Sequence, residues 1–216
     1  MFIEQPPQLI RCLYPSAIWR MDKDKKAVYL TFDDGPIPRV TPWVLDVLDR
    51  YGIKATFFMV GDNIRKHPDE FRMVVERGHR IGNHTFNHIR GLSYDINSYL
   101  ENTDKACRMM MNTNLFRPPH GYMSPKQYAE LKKRYKIIMW DLVTRDYNRK
   151  FTGEQILQKV KKYARNGSII TFHDSLKSEE NIRYALPKAI EWLMEQGYEL
   201  SLIHISEPTR PEPISY

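Results

Sequence analysis

Short runs of apolar and β-branched residues alternate along this chain with longer segments in which apolar residues recur at helical spacing. Residues 27–30 form the first apolar run and predict a buried strand. Residues 41–48 predict a helix, with Thr41 as its N-cap and Pro42 at the first helical position. Gly52 is expected to end that helix, and the next strand follows directly.

A helix that ends at a glycine shortly before a strand recurs along the chain. These glycines are Gly52, Gly78, Gly167 and Gly197. The other predicted helices cover residues 68–77, 95–111, 124–135, 153–165 and 179–196, and the other predicted strands cover 54–60, 79–83, 115–116, 137–140, 168–172 and a segment from 198. Such alternation predicts parallel strands with helices packed outside them. The expected fold class is therefore α/β, and about seven to eight strands favour a (β/α) barrel over an open sheet.

Polar side chains that could carry chemistry follow these predicted strands. They are Asp33, Asp34, His84, His88, Arg117, His120, Asp146 and His173. Because barrels of this class carry their sites at the carboxyl ends of the strands, the side chains are expected to share one rim.

Length and composition describe a globular protein. The chain has 216 residues, which suits one domain with a full core. Its two cysteines, Cys12 and Cys107, argue against a disulfide framework and fit a reducing compartment. No apolar run approaches the roughly 20 residues of a spanning helix, and the first residues lack the features of a signal peptide. A cytoplasmic location is expected for the sequence as written, and an extracytoplasmic one would require a further segment upstream.

The formal net charge is +7, from 33 basic and 26 acidic residues. The basic residues are spread along the chain, which favours a solvated basic face and leaves an anionic partner as the alternative. No nucleic-acid-binding module is recognisable, so no nucleic-acid partner is expected.

Both ends of the chain are predicted to lie outside the folded domain, which is expected to cover residues 27–199. Residues 1–26 are expected to form a loose lead-in with aromatic anchors at Tyr14 and Trp19. Residues 200–210 match the translation of a transposase-based sequencing adapter, so residues 200–216 are predicted to be non-native read-through.

The adjacent carboxylates Asp33 and Asp34 follow the first predicted strand, and Gly35-Pro36 ends that strand at once. Neighbouring residues on a strand point to opposite faces, so the two acids cannot share one role. At a strand end both can still lean into one cleft with different roles. The alternative interpretation is an ordinary turn, where Asp and Gly are common.

His84 and His88 are spaced i and i+4, which on a helical turn would put both imidazoles on one face. With Asp34 they would form a metal site of three protein ligands with open positions, which is typical of a catalytic site. The alternative is a loop capped by paired histidines.

A carboxylate beside such a metal, here Asp33, can act as general base toward an attacking water. His173 has a suitable intrinsic pKa to protonate the leaving group. Arg117 and Asp146 would orient the base and the acid respectively. The alternatives are a surface ion pair for Arg117 and an exposed loop acid for Asp146.

Five motifs occur in order: TFDDGP at residues 31–36, HTFNH at 84–88, RPPHG at 117–121, the segment 140–147, and FHD at 172–174. Together they resemble the motifs of the polysaccharide deacetylases, carbohydrate esterase family 4, also called the NodB homology domain. The resemblance implies a distorted or incomplete (β/α) barrel and metal-dependent hydrolysis of an acetamide or acetyl ester on a sugar. It implies Asp33 as base, His173 as acid tuned by Asp146, Arg117 as the partner of Asp33, and Asp34, His84 and His88 as metal ligands.

The same resemblance implies contacts to the substrate and its oxyanion from His120, Pro119, Trp140, Tyr147 and Thr171. Three of these positions depart from the family pattern, which usually has Tyr at His120, Trp at Tyr147 and Leu at Thr171. The backbone amide of His120 could still serve the oxyanion. In the family the last two positions wall the acetyl pocket, so a polar Thr171 suggests an altered pocket.

The leading hypothesis is therefore a deacetylase that acts on an N-acetylated or O-acetylated glycan with a divalent metal, most often Zn²⁺ but also Co²⁺ or another ion in this family. A monomer is favoured. Two alternatives stay open: an amidohydrolase on a non-sugar amide, and a carbohydrate-binding pseudoenzyme.

Overall fold

The structure, a computed structural model, describes residues 4–203 and is organised around the strand β1 (Ala27–Asp33). Every residue of β1 is buried. It pairs in parallel with β2 (Thr56–Met59) on one side and with β7 (Ile169–His173) on the other. A parallel strand that is buried on both faces reads as a continuous apolar run, which is why the sequence predicts it clearly.

The strands form one curled parallel sheet in the order β5-β4-β3-β2-β1-β7-β6, and β8 pairs with the start of β1. The remaining strands are β3 (Arg80–Asn83), β4 (Leu115–Phe116), β5 (Lys136–Ile137), β6 (Leu142–Val143) and β8 (Glu199–Leu200). Within residues 4–203 no ladder joins β5 to β6, so the barrel stays open between them. The predicted α/β class and incomplete barrel are confirmed.

The helices surround this sheet and connect its strands. They are α1 (Gln8–Arg11), α2 (Thr41–Arg50), α3 (Gly61–Lys66), α4 (Pro68–Glu76), α5 (Ile96–Cys107), α6 (Pro125–Arg134), α7 (Gly153–Tyr163) and α8 (Glu179–Glu195), with 3₁₀ turns at Gly91–Ser93 and Pro119–Gly121. Reciprocal capping bonds start α6 and α7; at α7 they join Thr152 and Gln155. No helix in this part of the chain is long and apolar enough to span a bilayer.

Three predicted helix ends are wrong, and one of them is the end of α5, which stops at Cys107 rather than at residue 111. Thr41 is the first residue of α2 rather than its N-cap, because its hydroxyl accepts a hydrogen bond from the Ile37 N–H (2.8 Å) and lies 2.6 Å from Asp174 Oδ2. Gly167 does not end α7, which stops at Tyr163, and lies instead in the turn before β7.

The predicted strand 137–140 is also wrong, because the chain changes sheet edge within it. β5 pairs with β4 at one end of the sheet, whereas β6 pairs with β7 at the other. Residues 138–141 cross between these ends, so only Ile137 of the predicted strand lies in β5, and Ile138 forms an isolated bridge with Ile18. The sequence analysis also missed α3, whose six residues are too short to establish a helical period.

Between residues 4 and 21 the chain is packed, which contradicts the predicted loose lead-in over that range. We call residues 4–21 the N-terminal strap. Ile18 donates its N–H to the Ile137 carbonyl and accepts from Met139 N–H, each at 2.8 Å, and Met21 N–H donates to the Gly167 carbonyl at 2.8 Å. The strap therefore joins the β5 end of the sheet to the β7 side across the opening. The predicted anchors Tyr14 and Trp19 are both buried.

The end of the described chain contributes to the fold, although part of it falls in the predicted read-through. Leu200 lies opposite Val28 in the ladder between β8 and β1, and Ile203 is buried. The origin of residues 200–216 stays a prediction, and residues 204–216, with His204, lie outside the described residues.

His79, directly before β3, is expected to make the stability of the fold depend on pH. Its ring is 7% exposed, and Nδ1 accepts a hydrogen bond from the Ala55 N–H at 3.2 Å. Burial, reinforced by the charge of Lys54, lowers the pKa of His79 to about 4 from an ordinary 6.5. The folded state therefore favours the neutral ring, and stability is lost as the pH falls from 6.5 toward 4.

We expect urea unfolding to report a loss of about 3 kcal/mol from His79 over this pH range, at 1.36 kcal/mol per pKa unit. Other groups titrate there too, so the measurement is the difference from His79→Asn, which keeps an acceptor oxygen and cannot titrate. Equal pH dependence in both proteins would contradict the prediction.

Candidate active site

The carboxyl end of β1 turns sharply at Asp34, whose φ of 84° lies in the left-handed region. The turn is held by its backbone: Asp34 N–H donates to the Phe58 carbonyl (3.3 Å), and its carbonyl accepts from Asn63 Nδ2 (2.7 Å). Both Asp33 and Asp34 line the same cavity as a result, although neighbours on a straight strand would face apart.

His84 and His88 follow β3 in a loop, so the predicted helical turn is wrong. Thr85 and His88 have φ of 64° and 54°, and this loop geometry brings the two ring centroids to 5.0 Å. Asp34 Oδ1 lies 3.2 Å from His88 Nε2 and 3.9 Å from His84 Nε2. One possible ligand atom from each of the three residues lies within 4.8 Å of the other two.

The protonation states of His84 and Asp34 suit a divalent cation. His84 Nδ1 lies 2.7 Å from the Arg117 carbonyl, to which it donates, so Nε2 keeps its lone pair. Burial and the neighbouring His88 hold the pKa of His84 well below its usual range, so the ring is neutral. Burial opposes ionisation of Asp34, but its hydrogen bond with His88 and the nearby His173 hold its pKa below the ordinary value. The neutral imidazole of His84 and the ionised carboxylate of Asp34 are metal-binding forms.

Asp33 lies outside this cluster and pairs with a buried arginine. Its Oδ1 accepts from Arg117 Nη1 at 2.6 Å, and Arg117 is fully buried. The guanidinium also donates to Thr31 Oγ1 (2.9 Å) and to the carbonyls of Ile138 (3.1 Å) and Met139 (2.8 Å). Burial raises the pKa of Asp33, an effect that Arg117 and His173 oppose. The side chain is therefore fixed in place with a basicity above that of an ordinary aspartate.

His173 ends β7 directly beside Asp33, its partner in the β1 ladder. Its Nδ1 lies 2.7 Å from Asp146 Oδ1, and its backbone N–H donates to Asp146 Oδ2 at 2.8 Å. Asp146 is fully buried, and Asn181 Nδ2 donates to its carbonyl at 2.8 Å. Burial alone would lower the pKa of His173, but the carboxylate of Asp146 outweighs it and the pKa rises to about 9. His173 is thus protonated at neutral pH.

One cavity of about 350 Å³ is lined by Asp33, Asp34, His84, His88 and His173. His120 borders it with φ of 60°, and its ring lies 4.8 Å from that of His88 in an edge-to-face contact. Trp140, Tyr147 and Thr171 also line it, whereas Pro119 is buried and its neighbour Pro118 takes the lining position. All the predicted site residues except Pro119 thus border this cavity or, like Arg117 and Asp146, hold a residue that does.

Thr171, which the sequence predicts as a polar wall, has its hydroxyl engaged. Its Oγ1 lies 3.1 Å from Thr31 Oγ1, which in turn accepts from Arg117. Tyr147 packs edge-to-face against His173, with ring centroids 4.7 Å apart. The two wall positions that differ from the family pattern are thus linked to the proposed base and acid. Thr171 contacts Thr31, a partner of Arg117, and Tyr147 contacts His173.

Sequence reasoning missed several residues that shape the site. Thr31 lies in a strand that reads simply as buried, and Asp174 had no predicted role. Asp174 Oδ1 accepts from the Gly35 N–H at 3.0 Å, and a Cβ on Gly35 would lie 2.0 Å from Asp174 Oδ2. The only sequence signal for Asp174 is its position directly after His173 in the FHD motif. No local signal indicated that the N-terminal strap lines the cavity through Pro6, Ile10 and Trp19.

The open, curled parallel sheet is the fold of the family 4 carbohydrate esterases, and the cluster of Asp34, His84 and His88 lies at the carboxyl ends of its strands. The chain belongs to the polysaccharide deacetylase family, whose model matches residues 20–137. It is 33% identical over 198 residues to the peptidoglycan-N-acetylglucosamine deacetylase of Bacillus cereus, covering 89% of this chain and 92% of that protein. It spans only 39% of PgdA of Listeria monocytogenes, a peptidoglycan-N-acetylglucosamine deacetylase with which it shares 34% identity over 188 residues.

Solved structures agree with this assignment. A peptidoglycan N-acetylglucosamine deacetylase in complex with 4-naphthalen-1-yl-N-oxidanyl-benzamide superposes with a TM-score of 0.85 at 27% identity, covering 92% of this chain and 95% of the other. A family 4 pseudoenzyme from Bacillus anthracis superposes with a TM-score of 0.77 at 27% identity, covering 88% of this chain and 68% of the other. The chain is thus similar both to active deacetylases and to a pseudoenzyme.

Proposed function

We propose that this chain is a metal-dependent deacetylase that removes acetyl groups from N-acetylated, or O-acetylated, sugar units of a peptidoglycan-type or chitin-type glycan. The observation that carries the proposal is the convergence of three ligand atoms within 4.8 Å of one another, beside an aspartate that is not among them. A binding protein has no use for a basic carboxylate and a protonated imidazole on either side of one cation site.

Asp34, His84 and His88 would hold the divalent ion. Their donor set, two imidazole nitrogens and one carboxylate oxygen, suits Zn²⁺ and also Co²⁺, with positions left open. The ion, when bound, would polarise the acyl carbonyl as a Lewis acid.

Asp33 would take the proton of the attacking water. Its pairing with Arg117 fixes the carboxylate, and the other oxygen, Oδ2, remains for the water. The raised pKa of Asp33 favours proton transfer, because a general base works best when its pKa approaches the operating pH.

His173 would give a proton to the leaving amine, or alkoxide for an ester. Asp146 accepts from Nδ1, so Nε2 is the nitrogen free to donate. His120 borders the cavity, and its backbone N–H would stabilise the oxyanion that forms on the carbonyl, a role independent of the His side chain.

The experiment is acetate release from acetylated chito-oligosaccharides and peptidoglycan fragments before and after metal removal. We expect chelation to abolish release and Zn²⁺ to restore it. Asp34→Ala removes a direct ligand, so zinc affinity should fall by more than the about 100-fold typical of losing an outer partner. Calorimetric zinc titration measures this.

Asp62→Ala is the matched control, because Asp62 is an acid on the neighbouring α3 whose carboxylate pairs with Arg65 and Lys66. Its zinc affinity should equal that of the wild type. Zinc binding by Asp34→Ala as tight as that of the wild type would refute the ligand assignment. No acetate from any acetylated glycan with metal-loaded protein would refute the deacetylase, and release from small non-sugar amides would support the amidohydrolase alternative.

A further inference from the structure

The cavity has an open rim and a closed, apolar end. His120, Tyr122 and Lys177 form exposed parts of its rim. At the other extreme Met139 is 1% exposed and Trp19 is 7% exposed, yet both line the cavity. Met139 and the Trp19 ring therefore form a buried and largely apolar part of the lining, beside the buried polar side chains of Asp33, His84 and Thr171.

The closed end lies one layer below the base and the acid. Thr171 and His173 are two residues apart on β7, so both side chains stand on the same face, as do those of Thr31 and Asp33 on β1. Val143 of β6 lies opposite Thr171 and continues this layer. The two threonine hydroxyls bond each other, so they offer no unpaired polar group to this layer.

The N-terminal strap walls this closed end with Pro6, Ile10 and Trp19. The wall is fixed in place. Arg11 donates to Asp141 Oδ1 at 2.8 Å and to the Pro6 carbonyl at 2.9 Å.

At the start of the strap, the Glu4 carbonyl accepts from Val143 N–H at 2.9 Å, and its carboxylate lies 3.2 Å from both Arg145 Nη1 and Lys159 Nζ. These contacts tie the strap to β6 and to the helix α7. The apolar end is therefore pre-formed, and a ligand does not have to order it.

The shape of the cavity determines which end of the substrate lies at the rim and which lies in the closed end. The carbonyl carbon under attack must lie beside Asp33 and the metal ligands. One of its substituents is the amine of the glycan, a large polar chain that can lie only at the open rim. The other substituent, the acyl group, must then point into the closed end. An acetyl group carries a single methyl beyond the carbonyl carbon, which would fill only a small part of the cavity of about 350 Å³.

We propose that the closed end is an acyl-chain subsite and that this chain also hydrolyses hexosamine units whose N-acyl group is longer than acetyl, such as butanoyl. The inference rests on the proposed function and extends its substrate class. The reaction is the same hydrolysis: the C–N bond breaks, the water oxygen bonds the carbonyl carbon, the amine gains a proton, and the product is a fatty carboxylate.

The test is a series of chito-oligosaccharides with N-acetyl, N-propanoyl, N-butanoyl and N-hexanoyl groups, with the zinc-loaded protein and amine release as readout. Burying a methylene changes affinity by about four-fold, so kcat/KM should rise by about that factor per added methylene until the subsite is full. A kcat/KM that falls with the first added methylene would overturn the proposal.

Variants that fill the closed end locate the subsite. Val143→Phe from its floor and Ile10→Phe from the strap should each lower the butanoyl-to-acetyl ratio of kcat/KM. Leu9→Phe is the matched control, because Leu9 is the neighbour of Ile10 in α1 but is 81% exposed and does not line the cavity. A ratio unchanged in both filling variants, or lowered equally in the control, would place the acyl chain elsewhere.

A binding measurement separates this inference from the proposed function. Straight-chain hydroxamic acids bind metals and mimic the acyl group without requiring turnover. Hexanohydroxamic acid should bind the zinc-loaded protein more tightly than acetohydroxamic acid, by about four-fold for each methylene that is buried. Equal affinities would overturn the subsite even if acetyl groups are removed, whereas the expected gradient would support it even in a protein that releases no acetate.

Discussion

Asp33→Asn is expected to lower kcat/KM for acetate release by about 10²- to 10⁴-fold, the usual contribution of a general base. Asparagine is nearly isosteric and keeps an oxygen that can accept from Arg117 Nη1, so the site should keep its geometry. It cannot take a proton from water at neutral pH. Acetate release at saturating zinc measures the effect.

The control for this variant is its zinc affinity, which should match that of the wild type because Asp33 is not among the clustered ligands. Wild-type rates in Asp33→Asn would contradict the assignment of the base. Glycan binding that is equal in both proteins, with no turnover in either, would instead support the pseudoenzyme alternative, which the similarity to the Bacillus anthracis pseudoenzyme keeps relevant.

Arg117→Met is expected to destabilise the protein by about 3–5 kcal/mol, the cost of removing one partner of a buried ion pair. The change leaves the buried Asp33 carboxylate and the Ile138 and Met139 carbonyls without their donor. It should also lower activity, because Asp33 would lose the group that orients it. Urea unfolding at neutral pH gives the difference in free energy.

Arg72→Met is the matched control, since Arg72 pairs with Asp69 at an exposed site, and should change stability by less than about 0.5 kcal/mol. If the ion pair is the cause, Asp33→Asn combined with Arg117→Met should cost less than the sum of the single changes. Additive costs would mean that Arg117 stabilises the fold through packing, such as its position 4.1 Å over the Phe58 ring, rather than through Asp33.

The sequence predicts the parts of this molecule that depend on local patterns. The buried run of β1 and the alternation of helices and strands lead to the open barrel, and motif spacing places Asp34, His84 and His88 on one rim. The geometry within the loops is different. Positive φ values at Thr85 and His88 bring the imidazoles together, and no periodicity encodes them.

Patterns along the sequence likewise do not predict contacts between distant parts of the chain. The ion pair of Arg11 with Asp141 joins residues 130 positions apart. The apolar run at 137–140 carries a strong strand signal, but the chain must leave one sheet edge there to reach the other. The point at which this run leaves the strand depends on how the whole sheet curls, and not on the residues in the run.

The strap has a consequence for how relatives are compared. The family match begins at residue 20, whereas Pro6, Ile10 and Trp19 lie before it. An alignment confined to residues 20–137 would group proteins that catalyse the same hydrolysis but release different carboxylic acids from the N-acyl group. Exchanging the first twenty or so residues between two such relatives would be a direct way to transfer the acyl-group preference while leaving the reaction unchanged.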